Sequence, residues 1–319
     1  MRIFARFALS IGTAAALLAG CGGSPPIDAP TGFAAQRVAP AADAREPLLY
    51  VAHKSVVSII SLPQDKALTR ITGYGYITGV CSDTSGNVWV PNLRRRHWYV
   101  DEFARGGTKA IKELRAPHRW ASLGACAVDP SNGNLAVMGA NIDGDNVALI
   151  WSGAGSGKPA MYSVGFCAVG AAYDDASNLF ITGWACGSTF NPYFGELAKG
   201  SGHTALIKID KPPGVYGGVQ WDGRYVAVAV AAKGKSAHSV LYRVKVSGTT
   251  GEVVGTVKPQ GFHVGFFGSS SGFFVLHDAA VIGTAGNGAL VWAWPYPTGG
   301  KPVKAIARYK GIIGIALSR

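Results

Sequence analysis

The chain has 319 residues, of which 44 are glycine and only 15% are charged, and its formal net charge is +12. No window combines a helical apolar period with capping residues, which argues against a helical domain and favours strands. The cysteines form no C-x-x-C motif and have no histidine at ligand spacing, which argues against a zinc site.

The first 20 residues have the organisation of a secretory signal peptide. Arg2 and Arg6 form a positive n-region, and residues 7–18 are apolar or small, a stretch too short to span a bilayer. Residues 17–21 read LLAGC, which resembles the lipobox of bacterial lipoproteins, where the cysteine is acylated and begins the mature chain. The resemblance implies lipidation of Cys21; an ordinary signal peptide followed by a chance cysteine is the alternative.

Residues 21–46 are rich in Gly, Pro and Ala and lack apolar periodicity, which predicts a flexible tether to a single domain at 47–319. Loss of the signal removes two arginines and lowers the formal charge from +12 to +10. We expect a monomer in the cell envelope, periplasmic or surface-exposed, attached to a membrane through Cys21. An envelope protein or an anionic polymer is the expected partner, and nucleic acid is not.

A repeat of 45 to 49 residues organises the rest of the chain. Each unit begins with a glycine and a strand of small residues, passes through an Asp/Ser/Asn/Gly turn, and continues into a second strand. This period is the length of one four-stranded propeller blade, and six starting points predict six blades. The six starting glycines are Gly79, Gly124, Gly170, Gly218, Gly265 and Gly314.

The two ends of the domain predict how the ring closes. The chain stops after one inner strand at 312–317, and it begins with Leu48–His53, which has the pattern of a second strand. Pairing these segments would complete blade one with residues 48–72 and remove two exposed edges. The fold class is therefore all-β, a six-bladed β-propeller; seven blades is the alternative. The D-x-x-G-N turns resemble NHL-type propellers, a resemblance that specifies a fold and leaves function open.

Four cysteines remain after Cys21, an even number that suggests disulfides in an oxidising compartment. In a hairpin with a two-residue turn at 176–177, any two residues that face one another have residue numbers that add up to 353. The numbers of Cys167 and Cys186 add up to the same value. We therefore predict a bridge between them, with two buried thiols as the alternative. Cys81 and Cys126 follow their repeat glycines at the same distance in adjacent blades, and whether they pair is left open.

Loops between second and third strands, together with the connections between blades, lie on one face of a propeller and form its usual ligand site. Here they are cationic and aromatic, which suits carboxylates, phosphates or sugar rings. A solvated loop without a ligand is the alternative. The candidate residues are Arg94, Arg95, Arg96, His97, His118, Arg119, Trp120, Trp184, Tyr216, His263, Tyr309 and Lys310, with the loop 233–238 beside them.

Catalysis is the second hypothesis, as a hydrolase, lyase or lactonase acting on a sugar-like substrate. A channel metal would need carboxylates at the starts of the inner strands, and these starts contain none. Asp143 and Asp145 fit a plain turn better than a calcium loop. His118 and His263 could act as an acid–base pair if they are close in space. We expect a non-catalytic binding protein without a metal or other cofactor.

Overall fold

A computed structural model of the chain describes residues 46–62, 64–117, 120–187, 191–211, 214–231, 239–264, 272–276, 280–285 and 288–319. These residues form 26 β-strands and one short 3-10 helix, Ser152–Ala154. The strands group into six small sheets arranged as the blades of a β-propeller, so the predicted fold class and blade count are confirmed. No helix in this part of the chain is long and apolar enough to cross a membrane.

Blades one to three contain the first twelve strands. The inner strand of blade two is in two pieces, β4 and β5, which both pair with β6. The strands are β1 (Leu48–His53), β2 (Val56–Ser61), β3 (Lys66–Ile71), β4 (Tyr76–Ile77), β5 (Cys81–Ser82), β6 (Val88–Arg94), β7 (His97–Phe103), β8 (Ala110–Arg115), β9 (Trp120–Val128), β10 (Leu135–Asn141), β11 (Asn146–Trp151) and β12 (Ala160–Ser163).

Blades four to six and the closing strand follow. Blade five has a fifth strand, β17, which runs parallel to β21 at its outer edge. The strands are β13 (Cys167–Tyr173), β14 (Leu179–Trp184), β15 (Pro192–Leu197), β16 (Ala205–Leu206), β17 (Lys208–Ile209), β18 (Val215–Trp221), β19 (Val226–Ala231), β20 (Ser239–Ser247), β21 (Thr250–Val257), β22 (Phe274–Leu276), β23 (Ala280–Ala285), β24 (Leu290–Pro295), β25 (Lys304–Arg308) and β26 (Ile312–Ser318).

The ring closes by pairing of the first strand with the last. Strand β26 lies antiparallel to β1, with Leu48 opposite Ser318 and His53 opposite Ile312. Blade one is the sheet β26-β1-β2-β3, so the predicted combination of C-terminal strand and N-terminal hairpin is confirmed. Among the described residues each of the six sheets thereby has an inner strand, and the chain ends are joined within blade one.

The core lies between the blades. Apolar side chains of the described residues form six clusters, one at each interface between neighbouring blades. In β1, Leu48 and Tyr50 pack toward blade two, while Leu49 and Val51 pack toward blade six. Successive strand residues point to opposite faces, and both faces of a blade are covered. This explains why many strands read as continuous apolar runs rather than as alternating ones.

The repeat glycines stand where the blades crowd around the axis. A Cβ on Gly79 would lie 2.9 Å from the carbonyl oxygen of Gly124, and one on Gly170 would lie 3.0 Å from the Cα of Gly218. The passage that glycines of this kind line has a volume of only about 40 Å³. Glycine at these positions is therefore required by close packing of backbone against backbone.

In blade six the predicted repeat register was wrong. We placed the repeat glycine at 265, which lies outside the described residues, and read the segment at 273–276 as a second strand. The structure makes Phe274–Leu276 the inner strand, and Gly272 lines the axial passage in the place of the expected glycine. A Cβ on Gly272 would lie 2.4 Å from the main-chain nitrogen of Ile315. The segment offers several glycines and serines, so sequence spacing alone did not select the right one.

Both pairs of cysteines form disulfides. Cys81 and Cys126 join blades two and three with their Cα atoms 5.7 Å apart, which resolves the pairing that the sequence left open. Cys167 and Cys186 are bridged with a Cα separation of 5.2 Å. The predicted register is wrong, however. Next to the turn Tyr173 already pairs with Leu179, one position short of the predicted partner, and the bulge between Ala168 and Gly170 shifts the register once more, so that Cys167 lies opposite Trp184. Disulfides persist in oxidising compartments, so the two bridges indicate a location outside the reducing cytoplasm.

Candidate functional site

The two faces of the ring carry different turns. Because each blade is antiparallel, its second-to-third hairpin and its connection to the next blade lie together. We call this side the arginine face, after Arg94, Arg95 and Arg96. The first-to-second hairpins lie on the opposite side, the aspartate face, named for the turns that begin at Asp83, Asp129, Asp174 and Asp222.

Arg94, a candidate ligand residue, is already occupied. Its Nη2 donates to Asp101 Oδ1 at 2.9 Å and to Glu113 Oε2 at 2.7 Å. Its guanidinium lies 4.6 Å from the ring centroid of Tyr99 and 5.8 Å from that of Tyr74. The charge is therefore compensated inside the protein, and Arg94 orders the base of the loop instead of presenting a free cation.

Burial dominates the electrostatics of this cluster. The side chain of Asp101 is 1% exposed, and burial raises its pKa although Arg94 and the Tyr74 hydroxyl oppose the shift. The Tyr74 hydroxyl donates to Asp101 Oδ2 at 3.0 Å. Burial and the neighbouring carboxylate raise the pKa of Tyr74 well above its usual range, so it remains a neutral donor.

Arg95 and Arg96 form the tip of the hairpin between β6 and β7. Arg94 pairs with His97 across them, so the turn has two central residues, and both have positive φ, +48° and +65°. Positive φ at both positions defines the type I′ geometry that Asn-Gly prefers. All three of Arg95, Arg96 and His97 are exposed, and Arg115 Nη2 lies 3.2 Å from the Nδ1 of His97.

The other candidates separate into rim and core. Trp120 and Trp184 are partly exposed near the channel mouth, and Lys310 is exposed. Tyr216 is only 5% exposed, because it packs between blades four and five; burial raises its pKa to about 12. It therefore belongs to the core rather than the rim. His118, Arg119 and the loop 233–238 lie outside the described residues.

Two aromatic or imidazole candidates are held by neighbours. Tyr309 stacks on His53, with ring centroids 4.3 Å apart and planes at 18°. His263 is half-buried, and its main chain forms two hydrogen bonds with Thr284. Burial lowers the pKa of His263, which favours the neutral ring. Because His118 lies outside the described residues, the suggested histidine pair stays a prediction.

An aromatic cavity of about 390 Å³ opens on the arginine face between blades two, three and four. Small residues of β9, β10 and β13 form its floor. Its walls carry Tyr76, Trp98 and Trp184, together with the polar side chains of Thr78, Ser122 and Asn146. Sequence reasoning identified Trp184 but missed this cavity, since its floor depends on small residues of three strands from two blades meeting in space.

Further cations that sequence reasoning missed surround the same face. Lys54 lies at the tip of the first hairpin, where its main-chain N–H donates to Gly311. Arg70 is the last residue but one of β3 and Arg115 ends β8, and the side chains of Lys54, Arg70 and Arg115 are all exposed. Burial lowers the pKa of His53, and the charges of Arg70 and Lys54 add to that shift. With Arg95, Arg96 and Lys310 they form what we call the cationic row, along blades six, one and two.

The aspartate face holds a second cavity that the sequence did not predict. It is a funnel of about 380 Å³ at the mouth of the axial passage, and residues of all six blades line it. Asp83, Asp175 and Arg319 contribute charges of both signs. Tyr173, Trp221 and Phe274 contribute aromatic surface. We call this cavity the funnel.

The turn that contains Asp143 and Asp145 is explained by local hydrogen bonding. Asn141 Oδ1 accepts the main-chain N–H groups of Asp143 and Asp145 at 3.0 and 2.8 Å. Asn141 Nδ2 also donates to Asp145 Oδ2 at 2.9 Å. The segment is therefore a hairpin turn ordered by an Asn side chain. Among the described residues, no group of three His, Cys, Asp or Glu side chains could hold a metal ion.

Comparisons with known proteins define the fold alone. No protein-family model matches the chain, and no curated protein sequence does. A solved structure of a protein of unknown function from Bacteroides caccae has a TM-score of 0.61 and 14% identity, covering 86% of this chain and 99% of that chain. A functionally unknown protein from Desulfotomaculum acetoxidans has a TM-score of 0.53 and 12% identity, with 86% of each chain covered.

Hydrazine synthase from Kuenenia stuttgartiensis is also similar, with a TM-score of 0.54 and 11% identity over 78% of this chain and 73% of that chain. All three identities are too low to transfer a function, because one propeller architecture supports unrelated activities. The chain is thus a six-bladed β-propeller with two disulfides and a cavity on each face.

Proposed function

We propose that this protein is a lipid-anchored envelope propeller that binds an anionic polymer, such as an acidic glycan, on its arginine face. The anchor is the acylated Cys21 that the lipobox-like residues 17–21 predict. Residues 21–46 then act as the tether. The binding is non-catalytic in this proposal.

The cationic row is the observation that carries the proposal. Six exposed Lys and Arg side chains belong to hairpins, strand ends and connections of blades six, one and two that lie on the arginine face. The carboxylates of Asp101 and Glu113, on neighbouring strands of blade two, are both bound by Arg94, and among the described residues neither forms an ion pair with Arg95 or Arg96. A linear polyanion fits an extended row of cations better than a small anion does, since each charge adds a separate contact.

The backbone of Arg95 and Arg96 supports the same interpretation. A residue with a side chain pays a conformational penalty of roughly 1 kcal/mol in the left-handed region, where Asn and Gly are preferred. Two consecutive arginines at such positions are a poor choice for stability alone. Their exposure and their charge are consistent with a role in binding.

The aromatic cavity next to the row suits the sugar units of such a polymer. Tyr76 is 49% exposed, and Trp98 and Trp184 stand beside it. Aromatic faces stack on sugar rings, and Thr78, Ser122 and Asn146 can exchange hydrogen bonds with hydroxyl groups. The lining that the structure describes contains no carboxylate and no imidazole, so its chemistry fits stacking and hydrogen bonding rather than proton transfer.

The test replaces Arg95→Asn and Arg96→Gly together, which gives the turn its preferred residues and removes two charges. The probe is polygalacturonate, with neutral dextran as its control, and binding is measured by calorimetry over a range of salt concentrations. We expect affinity about thirtyfold weaker at low salt, since each of the two removed cations contributes about 1 kcal/mol near an anionic surface and about 1.4 kcal/mol is a factor of ten. The salt dependence should also be flatter.

A matched control is Lys158→Asn, Lys199→Gly. It removes the same charge from exposed sites elsewhere on the ring. This variant should bind as the unaltered protein does. If both double variants lose affinity equally, the attraction is a property of net charge, and the arginine face is not a binding site.

A further inference from the structure

The four aspartate turns have the same design. In each, the Oδ1 of the first residue accepts main-chain N–H groups of the turn at 2.7 to 2.9 Å. The residues in this position are Asp83, Asp129, Asp174 and Asp222. Oδ1 therefore has the same task in all four turns, and the turns differ in what contacts the second oxygen, Oδ2.

In three of the four turns, the Oδ2 atom of the aspartate has a hydrogen-bond partner. Trp89 Nε1 donates to Asp83 at 3.4 Å, and Asn178 Nδ2 donates to Asp174 at 2.9 Å. Asp222 accepts from Arg243 at 2.7 Å and from Tyr296 at 2.6 Å. The exception is Asp129, whose Oδ2 is buried and has no hydrogen-bond partner among the described residues, although the residue is only 2% exposed.

Tyr173 is the second buried group without a partner. Its hydroxyl is buried and unpaired among the described residues, and the residue is 8% exposed. Burial raises the pKa of Tyr173, and the charge of Asp129 raises it further. A neutral hydroxyl donor and a carboxylate acceptor thus lie near one another without partners. Leaving such groups unpaired costs about 1 to 3 kcal/mol each, so native structures rarely do so.

The unpaired groups adjoin the funnel. Tyr173 lines it, and so do Val128 and Pro130, the two chain neighbours of Asp129. In the adjacent blade five, Trp221 Nε1 donates to Asp175 Oδ2 at 2.9 Å, which fixes the indole as a flat apolar surface. The volume of about 380 Å³ lies in the range of small-molecule sites.

We propose that the funnel binds a small neutral polyhydroxylated ligand of the sugar type. One ligand hydroxyl would accept from Tyr173 and donate to Asp129, and the sugar ring would pack against Trp221. The wall carries two carboxylates and one guanidinium, so a charged ligand would face repulsion from one of them. This site is on the opposite face from the proposed polymer site and does not depend on it.

The experiment measures binding of maltose, cellobiose and N-acetylglucosamine to the full-length protein by calorimetry and saturation-transfer NMR, in a detergent without a sugar headgroup. Saturable binding below about 10 mM is expected for at least one of them. Tyr173→Phe and Asp129→Asn should each weaken it by about tenfold, because each leaves one side of the ligand hydroxyl unpaired. Tyr242→Phe, on β20 and outside the lining of both cavities, is the control and should not change it.

Thermal unfolding separates a ligand role from a structural one. Removal of an unpaired buried hydroxyl should leave the Tm of Tyr173→Phe equal to or above that of the unaltered protein. A clearly lower Tm would show that the hydroxyl already has a partner, and the proposal would fail. The proposal would also fail if none of the three sugars bound, or if Tyr173→Phe bound them as well as the unaltered protein does. Because the proposed ligand is neutral, binding of the cation spermidine in the funnel in place of a sugar would contradict it too.

Discussion

Each face of the propeller carries a cluster of one aspartate, one arginine and tyrosines. On the arginine face, Asp101 contacts Arg94 at 2.9 Å and the Tyr74 hydroxyl at 3.0 Å. On the aspartate face, Asp222 contacts Arg243 at 2.7 Å and the Tyr296 hydroxyl at 2.6 Å. The residue types and distances are nearly the same, and both carboxylates are buried. The two clusters nevertheless have opposite effects on their aspartate.

The surroundings cause the difference. Burial raises the pKa of both carboxyl groups, but Asp222 also accepts the main-chain N–H groups of Arg224 and Tyr225. With these bonds and those of Tyr296 and Arg243, its pKa falls below its ordinary value. Asp101 lies within a strand, where no turn offers it N–H groups, and nearby Glu113 raises its pKa further. Hydrogen bonds from the turn therefore decide whether the buried charge is favourable.

The comparison also separates two kinds of arginine. Arg243 belongs to blade five and Tyr296 to blade six, so the Asp222 cluster ties neighbouring blades together. Arg94 instead satisfies two carboxylates within blade two and leaves the hairpin tip with free charge. Counting arginines on a face is therefore a poor guide to its ligand-binding charge, because some of them are committed to internal partners.

Each face has one disulfide near its cavity. Of the changes that we predict, removal of these disulfides should cause the largest losses of stability. Cys81 and Cys126 line the funnel, whereas Cys167 lines the aromatic cavity. Their sequence separations are 45 and 19 residues. In the chain-entropy model, replacing both cysteines by alanine should lower the free energy of unfolding by about 4 kcal/mol for the first pair and about 3 kcal/mol for the second.

Urea unfolding of the two double-alanine variants checks this order. Non-reducing peptide mapping of exported protein should first establish that both bridges are formed. Free thiols at either pair would contradict the structure. A larger loss for the Cys167–Cys186 pair would show that native-state contacts, and not loop length, control the stabilisation.

Replacing each arginine by methionine tests the two clusters directly. Arg243→Met should lower the free energy of unfolding by about 3 kcal/mol, because the side chain of Asp222 is fully buried and would lose its ion pair with Arg243. Arg94→Met should cost about 1 kcal/mol, since Asp101 already has a raised pKa and can take up a proton instead. Methionine keeps most of the side-chain volume, so urea unfolding reports the lost pairing rather than a cavity. Equal losses would mean that the hydrogen bonds from the turn are unimportant.

Local sequence patterns predicted the architecture because the repeat is local. The spacing of Gly79, Gly124, Gly170 and Gly218 predicted the blade length, and at Gly79 and Gly170 close packing at the axis leaves no room for a Cβ. Apolar patterning at the two ends predicted the pairing of β1 with β26. In blade six the same reasoning selected a glycine seven positions too early, because several glycines and serines precede Gly272.

The candidate site was predicted less well because it depends on non-local pairing. Arg94 is separated from Asp101 by 7 residues and from Glu113 by 19, on different strands, so its occupation could not be read from the hairpin. Tyr216 was expected at the rim, but the alternation of β18 directs it into the interface between blades. The funnel needed all six inner strands in space, which no local motif reports.

The smallest expected effect is a difference in sign between the two aspartates as pH changes. A lowered folded-state pKa means that Asp222 stabilises the fold above its unfolded pKa of about 3.9, and that this stability is lost as pH falls through the lower folded value. The destabilisation caused by Asp222→Asn should therefore shrink as pH falls.

Asp101 has a raised folded-state pKa, so its ionisation weakens the fold as pH rises from about 3.9 through the folded value. Asp101→Asn should become more favourable, relative to the unaltered protein, over that rise. Urea unfolding of both variants at a series of acidic to neutral pH values measures the sign of the two slopes, and the total change over each titration is about 1.4 kcal/mol for every unit of pKa difference. Slopes of the same sign would show that the hydrogen bonds from the turn do not distinguish the two clusters.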